Sequence, residues 1–218
     1  MIEQKTLDFL NQLKNNNDRT WFNDHKEEYQ SAQSNFIDLV AILLHHIAEF
    51  DERLIAVEPK DCLFRIYRDI RFSKNKRPYK TWFSAAMTGS GKRSLFPGYY
   101  FHLEPGNIYL GGGIWHPGKE ALQHIRGYIV EHHSEFEKII LGKTFKKHFV
   151  ELSGEQLKTA PKGYPKDHPQ IRWLRHKDFL VGCTKNNIDF TADDIIAEFA
   201  GDYQAMYPFI EFLHRAVL

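Results

Sequence analysis

Tyr99-Tyr100-Phe101-His102-Leu103-Glu104-Pro105-Gly106-Asn107-Ile108-Tyr109-Leu110-Gly111 is the stretch that decides the fold. Residues 99–103 and 108–111 are rich in side chains that suit a pleated surface. Between them, Pro105 presets φ and Gly106 accepts the positive φ that a tight turn demands next. The stretch therefore predicts an antiparallel β-hairpin. Working outward, residues 62–68 and 81–88 read as two earlier strands, the second closed by Gly89-Ser90-Gly91. Residues 179–184 read as a last strand.

Helical spacing surrounds these runs. Residues 6–13 carry apolar positions at helical intervals, and Asp18 is placed to cap the helix that follows. Tyr29, Phe36, Val40, Leu43, Ile47 and Phe50 recur at three-, four- and seven-residue steps, one buried stripe on a long helix. Residues 119–132 read as a further helix, and Ser134 with Glu137 as a capping box for the next. Thr191, with Asp193 and Asp194, is expected to open a final helix whose apolar face includes Ile195, Phe199, Met206, Ile210 and Leu213. The order of helices, strands, helices, strand and helix gives the α+β class. The expected architecture is an antiparallel sheet packed with helices from the N-terminal, middle and C-terminal parts of the chain. Without linker-like composition or repeats, residues 1–218 are expected to form one domain.

A hydrophobic fraction of 42% and an aromatic fraction of 14% exclude a disordered chain. Cys62 and Cys183 are too few for a disulfide framework and lack metal-ligand spacing. The opening residues carry no secretory pattern, and the longest apolar run, 39–44, is far too short for a bilayer. A cytoplasmic location with no membrane partner is the expectation. The net charge of +1 conceals an asymmetry: residues 60–93 hold ten Lys and Arg against two acids, and residues 1–59 hold five against eleven.

The concentrated chemical feature is Arg65-Ile66-Tyr67-Arg68-Asp69-Ile70-Arg71-Phe72-Ser73-Lys74-Asn75-Lys76-Arg77-Pro78-Tyr79-Lys80. In a strand Arg65 and Arg71 share a face and Arg68 opposes them; in a tight helical turn all three align. Guanidinium forks match phosphate and carboxylate oxygens in pairs, and lysines add attraction at longer range. Arg65, Arg68, Arg71, Lys76 and Lys80 are therefore the candidate anion-binding residues. Asp69, Asn75, Tyr67, Tyr79 and His116 are candidates to orient or stack on a ligand, with Trp82 a further aromatic face. Three guanidiniums within seven residues repel by ~1 kcal/mol per pair at contact in water. An internal acid or an outside anion must offset that repulsion. Asp69 is expected to stay ionised and orient the arginines, not to act as a base. Ile66 and Phe72 are expected to be buried anchors.

This segment resembles the signature of the mainly bacterial domain of unknown function 2461 family, R-x-x-R-D-x-R-F followed by Asp or Asn before Lys and then Tyr. The matching positions are Arg65, Arg68, Asp69, Arg71, Phe72, Asn75, Lys76 and Tyr79. The resemblance extends along the chain through Trp21-Phe22, the run beginning at Gly98, the loop 157–164 and the ending Phe209-Ile210-Glu211-Phe212-Leu213. It implies no activity, cofactor or catalytic residue.

Other constellations are weaker. His102, His116, His168 and His176 are scattered, so no metal and no cofactor are expected. Gly111-Gly112-Gly113 lacks the spacing of a phosphate loop and reads as a bend at a strand end, although it lets a ligand approach the backbone near His116. Lys158, Lys162, Tyr164 and Lys166 lie on a proline-rich loop that either covers a site or is simply solvated. Three functions stay open on these residues. The first is a protein binding a small phosphate-like or other anionic ligand. The second is a structural or partner-binding protein with an internal Arg–carboxylate network. The third is an enzyme on an anionic substrate or a nucleic-acid-binding module, the latter disfavoured by the near-neutral charge.

Overall fold

The computed structural model describes residues 2–186 and 194–218. Helix α1 (Gln4–Asn15) is followed by α2 (Arg19–Asp24), which starts where the Asp18 carboxylate accepts the Trp21 amide at 2.9 Å. Helix α3 (Lys26–Ala48) buries the predicted stripe, with Phe36, Val40, Leu43 and Ile47 inside. A 3-10 turn (Glu52–Leu54) and the short α4 (Pro59–Cys62) lead to the sheet.

Strands β1 (Phe83–Met87), β2 (Gly98–Glu104), β3 (Asn107–Ile114) and β4 (Phe179–Lys185) lie in the order β1-β2-β3-β4, every pair antiparallel. The hairpin of β2 and β3 turns at Pro105-Gly106, with Gly106 at φ 78. Strand β3 passes straight through Gly111–Gly113 to Ile114, further than residues 108–111 predict. Between β3 and β4 come α5 (Lys119–Glu131), α6 (His133–Ile140), α7 (Lys143–His148) and α8 (Ile171–Leu174), and α9 (Ile195–Val217) closes the chain.

Register divides the sheet into two faces, because side chains alternate along each strand. Phe83, Ala85 and Met87 pair with Leu103, Phe101 and Tyr99, and this face continues through Leu110 to Val181. Helices α3 and α9 cover it: Phe36 packs on Phe83 and Phe101, and Phe199 on Phe101. Ser84, Ala86, Tyr100, Tyr109 and Leu180 face the other way. The fold is thus α+β as the sequence indicates.

Three local expectations are corrected. Residues 62–68 form no strand: Leu63 bridges Ala85 and Tyr67 bridges Tyr79, each as a single pair. Phe64 N reaches Ser84 O of β1 at 2.9 Å, and the later residues pair with 78–80, through Arg68 N to Pro78 O at 2.9 Å and Lys80 N to Ile66 O at 2.8 Å. Ser134 caps no helix, because α6 begins a residue earlier, at His133. Asp194 precedes α9 without a side-chain cap, and Thr191 and Asp193 lie outside the described residues.

Candidate functional site

The face of the sheet opposite α3 and α9 carries a cleft of about 530 Å³ among the described residues. Its floor is the second face of the strands, lined by Ser84, Ala86, Tyr100, Tyr109 and the Gly111–Gly113 backbone. Tyr109 lies flat across the sheet because Gly182 has no side chain. A Cβ there would sit 2.2 Å from the Tyr109 hydroxyl and 2.7 Å from Leu110 O. Burial raises the pKa of both Tyr100 and Tyr109, so they enter the site as neutral hydroxyls.

Cations stand at the walls. Lys80 lines the cleft with its Nζ 5.5 Å from the Phe64 ring centroid. Burial lowers its pKa, and Arg65 lowers it further. Lys92 also lines the cleft and donates to Asp61 O at 3.3 Å. No Asp or Glu is among the lining residues, and neither lysine lies within ion-pair distance of a described carboxylate.

His116 closes one end of the cleft. It adopts φ 48, a left-handed backbone that side-chain-bearing residues seldom take, and stacks on Trp115 with centroids 4.2 Å apart. Its amide and its Nδ1 both lie against Asp178 Oδ1, at 2.7 and 2.9 Å, while Asp178 Oδ2 accepts the Glu155 amide at 2.9 Å. Burial pushes the Asp178 carboxyl up, but the two amides and the imidazole more than offset it and hold it below its ordinary value. Against the ionised Asp178, Nδ1 carries a hydrogen, so in the neutral ring Nε2 is the hydrogen-bond acceptor. An imidazole oriented in this way can hold a ligand hydroxyl or take its proton.

Outside the lining, His102 stacks on Trp82 (5.5 Å) and its Nδ1 lies 3.5 Å from the Tyr100 hydroxyl. Burial lowers its pKa.

The arginine-rich segment forms a separate, outward loop. Its base is rigid: Asn17 and Tyr79 exchange two hydrogen bonds at 3.0 and 3.1 Å, Tyr79 stacks on Phe22, and Ile66 is 1% exposed. Beyond that base, Arg71 grips Asp69 with both Nε and Nη2, at 3.0 and 2.7 Å. The side-chain and backbone hydrogen bonds from Arg71 draw the Asp69 pKa down to about 2, which keeps its carboxylate ionised beside that arginine. Arg68 donates to Arg77 O (2.9 Å), Lys76 to Ile70 O (3.0 Å), and Asn75 accepts the Arg77 amide (3.0 Å). Phe72 is 96% exposed at the tip, which corrects its expected role as a buried anchor.

Of the predicted residues, then, Lys80, His116 and the aromatic Trp82 line the cleft. Arg65, Arg68, Arg71 and Lys76, with Asp69, Asn75 and half-exposed Tyr67, occupy the loop, and Tyr79 is buried at its base. Asp178, Lys92, Tyr100 and Tyr109 were missed. The alternation of β2 and β3 already put Tyr100 and Tyr109 on the face opposite Phe101 and Leu110. Nothing in the sequence ties Asp178 to His116. Among the described residues no group of three or more His, Cys, Asp or Glu is placed to hold a metal, and no helix is long and apolar enough to cross a membrane.

Residues 5–212 match the family described as Conserved hypothetical protein (DUF2461), nearly the whole chain, and the chain belongs to that family. No curated protein and no solved structure matches it.

Proposed function

We propose that this member of the DUF2461 family binds a small anionic ligand whose apolar body lies in the sheet cleft. The observation that carries the reading is charge: Lys80 and Lys92 line an apolar, aromatic cleft that no carboxylate lines. A cation held partly out of water without a counter-ion is costly, and a bound anion supplies the missing partner. The outward loop serves the same end from a distance, raising the positive potential near Lys80 and steering anions toward it. Free thiols at Cys62 and Cys183 fit the reducing cytoplasm, where we place the protein.

Thermal unfolding with and without inorganic phosphate, carboxylates and nucleotides tests this. A ligand at a hundred times its Kd adds ~2.7 kcal/mol of stability. That gain is expected to vanish in Lys80→Met and to shrink with added salt. If no anion shifts the wild-type transition, the binding reading is wrong.

The strained His116 backbone and its buried carboxylate partner favour a second reading, proton transfer to a cleft-bound substrate. Asp178→Asn would then abolish turnover of anionic chromogenic esters while leaving their affinity unchanged. Wild-type protein that binds such esters without turnover would remove this reading.

A further inference from the structure

We infer that the ligand of the cleft is elongated and carries an acidic group at each end. The inference rests on the binding function proposed above and specifies its ligand. Lys80 and Lys92 stand beyond opposite ends of β1. Lys80 precedes Phe83, which pairs with Leu103 near the β2–β3 turn. Lys92 follows Met87, which pairs with Tyr99 at the far end of the sheet. A strand of this length covers roughly 17 Å at ~3.4 Å per residue. Both side chains nevertheless line one continuous cleft.

Each end shows the same deficit. Lys80 is half-buried, with an aromatic face at Phe64 and Arg65 as its charged neighbour. Among the described residues, the hydrogen-bond partner of Lys92 is a backbone carbonyl, Asp61 O. His116 stands at the Lys92 end, past Ile114. Between the two ends the floor is Ala86, Tyr100, Tyr109 and the glycine backbone of β3, a surface that suits methylenes or flat rings. A compact monoanion neutralises one lysine and leaves the other without a partner. A molecule with two acidic termini separated by an apolar body neutralises both and covers the floor between them. The chemical class is therefore the long-chain α,ω-dicarboxylate or a molecule with the same charge spacing.

Titration calorimetry on the full chain at neutral pH decides it, with dodecanedioate, its monomethyl ester, dodecanoate and succinate as probes. Dodecanedioate is expected to bind at least tenfold more tightly than the half-ester, which has the same length and one charge fewer. Lys80→Met and Lys92→Met are each expected to erase that preference, and unfolding without ligand checks that both variants fold. Half-ester or dodecanoate binding as tightly as the diacid overturns the two-ended ligand and leaves the anion-binding function standing. Succinate binding as tightly as dodecanedioate overturns the elongated body. Failure of all four probes overturns this inference, and the anion-binding function falls with it only if phosphate and nucleotides also leave the unfolding transition unmoved.

Discussion

Replacing Gly182 by Ala would drive a Cβ into the Tyr109 hydroxyl and into the fixed Leu110 carbonyl, at 2.2 and 2.7 Å. The ring can swing away but the carbonyl cannot, so the variant is expected to lose ~1–3 kcal/mol in denaturant unfolding. It should also lose ligand binding, since the displaced ring would fill the cleft. Ile66 and Phe72 make a sharper pair. Ile66→Ala is expected to cost ~2–5 kcal/mol, because the side chain is 1% exposed among well-packed neighbours. Phe72→Ala, at 96% exposure, should change stability by less than ~0.5 kcal/mol. Equal losses in the two variants would show that the loop tip packs against something. A large apolar side chain is buried only where its segment packs on the rest of the fold, and here the segment turns outward after the bridge at Tyr67.

At the scale of elements, long periodic segments were legible because their pattern repeats enough times to fix a face. The stripe on α3 and the hairpin of β2 and β3 are the plainest cases. Residues 62–68 were not, since β-forming side chains do not name their partner, and here the run divides between β1, at Leu63 and Phe64, and residues 78–80. The cleft was illegible for a related reason: it depends on which sheet face the helices leave open. One contact between elements invites a direct test. Asp202 of α9, 1% exposed, meets His148 of α7 at 2.6 Å and Lys185 of β4 at 2.8 Å. Asp202→Ala leaves both partners without their shared acid, although Lys185 keeps Glu198 at 2.5 Å. A loss of ~2–3 kcal/mol is expected. A hydrogen-exchange comparison should show the loosening concentrated in α7 and β4.

For the whole molecule, stability should fall as the solution turns mildly acidic. Burial lowers the pKa of His102, His176 and His214 from the ordinary 6.5, so the unfolded chain takes up these protons at a higher pH than the folded one. Their contribution is complete above pH 6.5 and is lost as pH drops through that value toward the folded pKa values. Asp178, held below its ordinary 3.8, adds a second loss further down. The melting temperature is expected to decline between pH 7.5 and 5, ahead of the carboxylate range; a flat profile there would contradict the buried, neutral histidines. The loop that carries Phe72 has a consequence of another kind. Its basic, exposed tip is where trypsin should cut first, after Arg71 or Lys74. Yet Ile66 anchors one side of the cut and Tyr79 the other, Tyr79 being held by Asn17 and Phe22. The nicked halves should therefore elute together and still melt cooperatively, and two separately expressed fragments divided at that point should reassemble into one working molecule.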